Sequence, residues 1–160
     1  MKHKESQSQI HCVTWFRYEY PELARLLVHP INEGSGHTAK DRIRQGIHKA
    51  EGAVAGVSDL LLFLPSGEGD ALLFGLGIEM KEEKGRQSQD QKDFEQMFFA
   101  AGFAYVVCRG LEEFKALIKG WVDNCPSDIL ARVKEAHKKL EKQADARAYQ
   151  QFKNIINPRK

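Results

Sequence analysis

The chain has 160 residues, enough for one compact domain with a buried core. Its hydrophobic fraction of 42% and charged fraction of 29% are those of an ordinary globular protein, and no segment approaches the roughly 18–20 apolar residues that span a bilayer. The net charge of +2 is unevenly distributed: residues 1–126 carry 15 Lys and Arg against 18 Asp and Glu, whereas residues 127–160 carry 9 against 4. We therefore expect a folded domain over 1–126 and a basic tail over 127–160, with no membrane association.

The three cysteines, Cys12, Cys108 and Cys125, are too widely spaced for a zinc site and leave an odd number for disulfides. The first residues contain no apolar run typical of a signal peptide. We expect reduced thiols and a cytoplasmic location. No phosphate-binding or dinucleotide-binding glycine motif occurs, so a nucleotide cofactor is not expected.

The hydrophobic pattern predicts alternating helices and short strands. Residues 57–64 are almost continuously apolar, as expected for a central strand covered on both faces, and a polar turn joins them to the next strand. This order favours an α/β domain with a mixed sheet. The predicted elements are a helix over 4–20, a strand over 26–28, a loop over 32–37, a helix over 39–50, strands over 57–64 and 72–80, a helix over 88–101, a strand over 103–108, and helices over 111–124 and 127–156.

Two acidic residues face each other across the predicted hairpin. If its turn centres on residues 68–69, Asp59 lies opposite Glu79, with the two Cβ atoms about 4.5–5.5 Å apart. Each acid borders an apolar segment, so the pair is costly unless a positive charge lies between them. A divalent cation meets this need, and hard oxygen ligands favour Mg²⁺ or Mn²⁺.

Lys81 follows Glu79 by two residues and therefore faces the same side of the strand. Met80 faces away, but its backbone carbonyl can still reach a metal. An acid pair, a metal and an ammonium group suit phosphodiester hydrolysis. The alternative is an exposed salt bridge at a strand end, and a one-residue shift in register would turn one acid to the opposite face.

Four segments follow one another in a characteristic order: Gly56–Asp59, Ile78–Lys81, Gly85–Lys92 and Val106–Gly110. Together they resemble the VRR-NUC branch of the PD-(D/E)XK nucleases, over roughly residues 4–120. The resemblance implies a restriction-endonuclease-like fold, in which helices flank a mixed β-sheet core. It also implies catalysis that depends on Mg²⁺ or Mn²⁺. The amphipathic C-terminal helix lies outside the resemblance.

The resemblance also implies roles for individual residues. Asp59 and Glu79 would be metal ligands, joined by the Met80 carbonyl, and Lys81 would be the catalytic lysine. Gln91 would lie near the active site. Glu5, on the first helix, would hold a metal or a water molecule on it; the alternative is an exposed acid that stabilises the start of that helix.

A group of polar residues after the second hairpin strand has two interpretations. Lys84, Arg86 and Lys92, with Ser88, are candidates for gripping DNA phosphates. Two neighbouring glutamates dilute the basic charge, so a solvated loop is the alternative for the basic residues. Ser88 and Gln91 also fit a Ser-x-x-Gln capping box, which by itself would account for both.

We expect a small free-standing nuclease of phage or mobile-element type. Free-standing members of this branch are similar to Holliday-junction resolvases and often act as dimers, so the resemblance implies a homodimer acting on DNA, including branched forms such as junctions and flaps. Two alternatives stay open: a non-catalytic DNA-binding module, and a protein-interaction domain that works through the tail. The apolar stripe of the tail can pack on its own domain or on a second subunit, and its basic face can contact DNA.

Overall fold

A computed structural model of the chain describes residues 2–30 and 38–156, without the side chains of residues 2–5, 39, 41, 45, 152 and 154–156. The loop predicted over residues 32–37 lies outside this set. The chain divides into two compact units, Met1–Cys125 and Pro126–Lys160. The division of function between a nuclease domain and a tail stays a prediction.

Helices and strands alternate along the first unit, and the described part of the second unit is a helix. Each predicted helix is present, with its ends within two residues of the prediction. The elements are α1 (Lys2–Glu19), β1 (Leu27–Val28), α2 (Ala39–Ala50), β2 (Leu60–Leu62), β3 (Leu76–Met80), α3 (Gln89–Ala100), β4 (Ala104–Cys108), α4 (Leu111–Asp123) and α5 (Ser127–Ile156), with 3-10 turns at Pro21–Leu23 and Gly69–Ala71.

The four strands form one mixed sheet in the order β1-β2-β3-β4. The β1–β2 and β2–β3 pairs are antiparallel, whereas β3 and β4 are parallel. Helices flank the sheet, so the predicted α/β class is confirmed. Every residue of β3 is buried, which identifies β3 as the strand around which the domain is built.

The two hairpin strands are shorter than the sequence predicts. The prediction that residues 57–64 are covered on both faces is wrong. Phe63 is 51% exposed and Leu61 is half-buried. The Ser66–Leu73 bridge is one residue out of step with the Leu62–Leu76 pair, so the ladder breaks as at a β-bulge. The 3-10 turn at Gly69–Ala71 lies in the polar connection that the sequence predicts between the two strands.

A single apolar core holds the first unit together. The end of α4 anchors the segment after β2, because the Trp121 indole N–H donates to the Leu64 carbonyl at 2.8 Å and the Ser66 hydroxyl donates to the Trp121 carbonyl at 2.9 Å. Within the described residues, no helix is both long enough and apolar enough to span a membrane. The largest fully buried apolar side chains are Phe16, Leu23, Leu60, Leu62, Leu64, Leu76, Ile78, Phe114 and Ile118.

Candidate active site

The predicted register of the hairpin is confirmed. Leu60 pairs with Ile78 at the start of β2, so Asp59, one residue earlier, lies beside the end of β3. Its Oδ2 atom accepts a hydrogen bond from the Met80 backbone N–H at 2.8 Å. This bond holds the Asp59 carboxylate at the open end of the β2–β3 pair, although Asp59 itself lies just outside the strand.

Glu79 is a buried carboxylate with three hydrogen-bond donors. It is 1% exposed, and its Oε1 atom lies 2.7 Å from the Lys81 ammonium nitrogen. The Gln91 side-chain amide donates to the same oxygen. The Tyr105 hydroxyl donates to Oε2 at 3.0 Å. Because both oxygens are engaged, the orientation of this carboxylate is fixed before any ligand binds.

The electrostatics of this group follow from its burial. Loss of solvation raises the pKa of Glu79, the hydrogen bond from Lys81 opposes this, and the nearby charge of Asp59 raises the pKa further. Burial, followed by the charge of Glu79, raises the pKa of Tyr105, so its hydroxyl remains a donor at neutral pH. The site therefore combines two carboxylates that repel each other with one ammonium group.

The backbone of β3 turns alternately to its two neighbouring strands. The Lys81 N–H donates to the Cys108 carbonyl at 2.9 Å, so Lys81 turns its backbone towards β4. Met80 turns its backbone the opposite way, and its N–H meets Asp59. In a strand, the N–H and C=O groups of one residue point to the same side. The Met80 carbonyl therefore faces the side of the sheet edge on which the Asp59 carboxylate lies, while its side chain is buried.

The helix α3 brings Gln91 to the site through its capping box. Ser88 is the N-cap: its hydroxyl accepts the Gln91 N–H at 3.2 Å, and the Gln91 side-chain carbonyl accepts the Ser88 N–H at 2.8 Å. The same Gln91 side chain uses its amide group on Glu79. The two interpretations of Gln91 are therefore compatible, because its side-chain oxygen accepts the Ser88 N–H while its side-chain nitrogen donates to Glu79.

Glycines allow the close approach of elements around the site. Gly56 has a φ of 82°, and a Cβ atom there would lie 2.1 Å from the Asp90 carbonyl oxygen at the start of α3. A Cβ on Gly77 would lie 3.0 Å from the Ser58 hydroxyl and 3.3 Å from the Tyr105 ring. Small residues at these two positions let α3 and β4 bring Gln91 and Tyr105 to Glu79.

Sequence reasoning missed two residues at the site. Tyr105 pairs with Gly77 in the parallel β3–β4 register, and its hydroxyl reaches Glu79 two residues further along β3. The available signal was a hydroxyl in an otherwise apolar strand, because a buried tyrosine hydroxyl usually has a partner. His29 is the second, since its Nδ1 atom lies 2.7 Å from the Asp59 carbonyl oxygen.

The other predicted site residues lie around this centre. Glu5 belongs to α1, but its side chain lies outside the described residues. Lys84, Arg86 and Lys92 have exposed side chains on the segment that runs from β3 into α3. Ser88 is exposed on the same segment, as the helix cap.

A cleft of about 300 Å³ opens beside Asp59 and Gln91, between the segment at Gly56 and the start of α3. A second cleft is lined by Lys81, Glu82 and Arg109, among other residues. Among the described residues, Glu82 Oε1 is buried without a hydrogen-bond partner. Asp59 therefore lines one cleft and Lys81 lines the other.

The donor set at this edge fits a hard divalent cation. Two carboxylates that repel each other and a backbone carbonyl are oxygen ligands of the kind that Mg²⁺ and Mn²⁺ prefer. In the part of the chain that the structure describes, no cluster of three or more His, Cys, Asp or Glu side chains occurs. A complete coordination sphere would therefore need the Met80 carbonyl, water, substrate oxygens or the Glu5 carboxylate.

Comparisons with known proteins identify the family and support the fold. The model of the VRR-NUC domain family matches residues 3–112 of the chain. A solved structure of a protein named "VRR_NUC domain protein" superposes with a TM-score of 0.62 and 20% identity, covering 76% of this chain and 89% of that one. No curated protein matches the chain. The solved structure supports the fold, and the family match, which spans more than half of the chain, shows that this protein belongs to the VRR-NUC domain family of nuclease-type domains.

Proposed function

We propose that this protein is a metal-dependent nuclease that hydrolyses phosphodiester bonds in DNA. The observation that carries the proposal is the buried Glu79–Lys81 ion pair, 2.7 Å long, at the strand end where Asp59 accepts the Met80 N–H. Burying the Glu79 carboxylate, with Asp59 and Lys81 half-buried beside it, costs stability. A purely structural salt bridge would be better placed in solvent, which makes a functional reason for this burial the stronger explanation.

Asp59, Glu79 and the Met80 carbonyl would hold Mg²⁺ or Mn²⁺, and Glu5 is the further ligand implied by the family resemblance. When bound, such a cation lowers the pKa of water and screens the charge of the phosphate. Asp59 and Glu79 supply the negative charge that retains the cation. Burial, and to a smaller extent the charge of Asp59, raises the pKa of Glu79, and a cation would be favoured there because it offsets both effects.

Lys81 is the proposed catalytic residue that acts on the phosphate or the attacking water. Its side chain is 14% exposed, so its ammonium group is held in place and only partly screened by solvent. A charge in such a setting stabilises the negative charge that develops in the transition state. Gln91 and Tyr105 act as positioning residues, because each donates a hydrogen bond to Glu79.

The exposed segment after β3 is the proposed DNA contact. Lys84, Arg86 and Lys92 would neutralise phosphates, and Ser88 would donate from the helix cap. We further propose branched DNA as the preferred substrate and a homodimer as the active form, both on the strength of the family resemblance. Opposed cuts on two strands need two sites, which a two-fold symmetric dimer supplies.

The test is cleavage of a labelled four-way junction, a flap and a plain duplex with Mg²⁺ or Mn²⁺, by wild type and Lys81→Ala. Lys119→Ala, an exposed lysine on α4, is the matched control. We expect metal-dependent cleavage that falls by roughly 10²–10³-fold in Lys81→Ala and is unchanged in the control. The order of rates on the three substrates measures the preference for branched DNA.

A different result would replace the proposal. If wild type and Lys81→Ala bind DNA equally, in EDTA as well as in Mg²⁺, and neither cleaves any substrate with either metal, the protein is a non-catalytic DNA-binding module. Sedimentation of the wild-type protein with a junction tests the dimer separately.

A further inference from the structure

We propose that α5 is a DNA-binding arm whose Lys138, Lys139 and Lys142 contact the phosphate backbone without reading sequence. The inference rests on the proposed function, in that DNA is taken as the polyanion that this protein meets. It adds a binding surface to the chain beyond the matched family region, which ends at residue 112.

Residues 1–126 and α5 carry net charges of opposite sign. Residues 1–126 have 15 Lys and Arg against 18 Asp and Glu, so this part of the chain has a net charge of −3. Within α5, seven Lys and Arg stand against four Asp and Glu, a net of +3. A polyanion is bound mainly through positive charges that displace its counterions. The favourable net charge for such a ligand therefore lies in α5.

The three lysines have side chains available for a ligand. Lys138 and Lys142 are four residues apart, so they lie on one face of the helix about 6 Å apart along its axis. Lys139 lies on the neighbouring face. All three are exposed, and no acidic side chain in the described part of α5 forms an ion pair with them.

Two of the four acidic residues of α5 have partners other than these lysines. Asp128 pairs with Arg132 at 3.3 Å, and Glu141 lies 3.2 Å from the His137 ring nitrogen. Like charges four residues apart destabilise an isolated helix. A row of phosphates would relieve the repulsion between Lys138 and Lys142, whereas a neutral partner would not.

A coiled coil with a second copy is the competing use of α5, and the heptad pattern does not sustain it. Coiled coils need apolar residues at both seam positions over three to four heptads. In α5 these positions are apolar only in the first two heptads, and all residues from 141 to 151 are exposed. The seam positions are Ile129, Val133, Ala136 and Leu140, followed by Gln143, Arg147, Gln150 and Asn154.

The test compares DNA binding by the full chain and by two variants. The first is Lys138→Gln/Lys139→Gln/Lys142→Gln, which retains good helix formers. The control is Arg17→Gln/Arg25→Gln/Lys119→Gln, which removes the same charge from exposed positions in the first unit. The measurements are the Kd for a labelled duplex of about 30 base pairs over roughly 50–200 mM KCl, with CaCl₂ in place of MgCl₂ to avoid cleavage, together with helicity by circular dichroism and sedimentation.

We expect the α5 variant to bind roughly tenfold more weakly at low salt, and its slope of log K against log salt to be smaller by about 2–3. The slope for the control should differ from that of wild type by no more than about 1, which corresponds to one phosphate contact. An unchanged Kd and slope in the α5 variant overturns the inference, as does an equal loss in the control, which would assign the effect to net charge. A changed mass in sedimentation without a changed slope assigns α5 to a second copy and also overturns it.

Failure of the inference about α5 can be distinguished from failure of the proposed function. If wild type cleaves DNA in Mg²⁺ but the α5 variant binds with an unchanged slope, only the role of α5 is lost. If wild type neither binds nor cleaves DNA, the proposed function fails and the inference fails with it.

Discussion

The end of β3 and the exposed half of α5 use charged residues in opposite ways. At the end of β3 one acid is almost completely buried, and each charged group has a defined partner: Glu79 meets Lys81, Gln91 and Tyr105, and Asp59 meets the Met80 N–H. In α5 the lysines at 138, 139 and 142 are exposed and have no ion-pair partner among the described residues of that helix.

This difference determines what the end of β3 and α5 can each do. A buried charge is costly unless it is paired, so the site retains its charges only in one precise arrangement, as catalysis requires. Exposed charges are screened by salt and act through their number and not their exact position. Geometry should therefore dominate the response of the site to mutation, whereas charge count should dominate the response of α5.

The largest expected effect is at Asp59. Asp59→Asn keeps an acceptor for the Met80 N–H but removes a carboxylate, so we expect metal-dependent cleavage to fall on the order of 10³-fold or more. Burial, and to a smaller extent the charge of Asp59, raises the pKa of Glu79, so removal of that charge should leave thermal stability in EDTA equal to or higher than that of wild type. Mg²⁺ should no longer raise the melting temperature.

Single-turnover cleavage and thermal melting with and without Mg²⁺ measure both effects. Asp70→Asn, in the exposed 3-10 turn, is the matched control and should behave as wild type. Cleavage by Asp59→Asn within tenfold of wild type would show that the two-carboxylate site is not the catalytic centre.

Gln91 gives the next effect. Gln91→Glu keeps an oxygen to accept the Ser88 N–H, but it replaces the amide that donates to Glu79 with a second carboxylate. We expect cleavage to fall roughly 10–100-fold while the helix cap persists. Cleavage rates and urea unfolding of the same preparation separate the two contributions. Wild-type cleavage would mean that Gln91 only caps α3.

Tyr105→Phe tests positioning without a change in charge. The ring keeps its packing, including the Phe94 ring 6.3 Å away, but Oε2 of Glu79 loses its donor. We expect half-saturating Mg²⁺ for cleavage to rise roughly tenfold, with most of the rate recovered at saturating Mg²⁺. A titration of cleavage against Mg²⁺ measures this. Tyr18→Phe, 84% exposed, is the control, and an unchanged titration in Tyr105→Phe would show that its hydroxyl is only structural.

The smallest effect is expected at Ser88. Ser88→Ala removes the hydroxyl that accepts the Gln91 N–H, which should lower the free energy of unfolding by about 1 kcal/mol. Cleavage at low temperature should stay within a few-fold of wild type, since Gln91 can still reach Glu79. Urea unfolding measures the stability. A loss of cleavage as large as that of Gln91→Glu would make the cap part of the catalytic geometry.

Local signals in the sequence were sufficient to predict the ends of α3, the face of β3 that carries the site and the register of the hairpin. Ser88 and Gln91 marked the start of α3, and Gly102, with a φ of 83°, its end, because caps and left-handed glycines act within one turn. Alternation along one strand placed Glu79 and Lys81 on the same face. The turn residues between β2 and β3 were enough to predict the register that brings Asp59 beside the end of β3.

Only the tertiary structure decided how much of each strand is paired and what reaches Glu79 from elsewhere. At the break between the Ser66–Leu73 bridge and the β2–β3 ladder, the Ser66 hydroxyl donates to the carbonyl of Trp121, far along the chain. Tyr105 reaches Glu79 through the parallel pairing of β3 with β4, which a helix separates in sequence. Side-chain period and capping are properties of neighbouring residues and can be read locally, whereas parallel pairing is a long-range choice that no local pattern encodes.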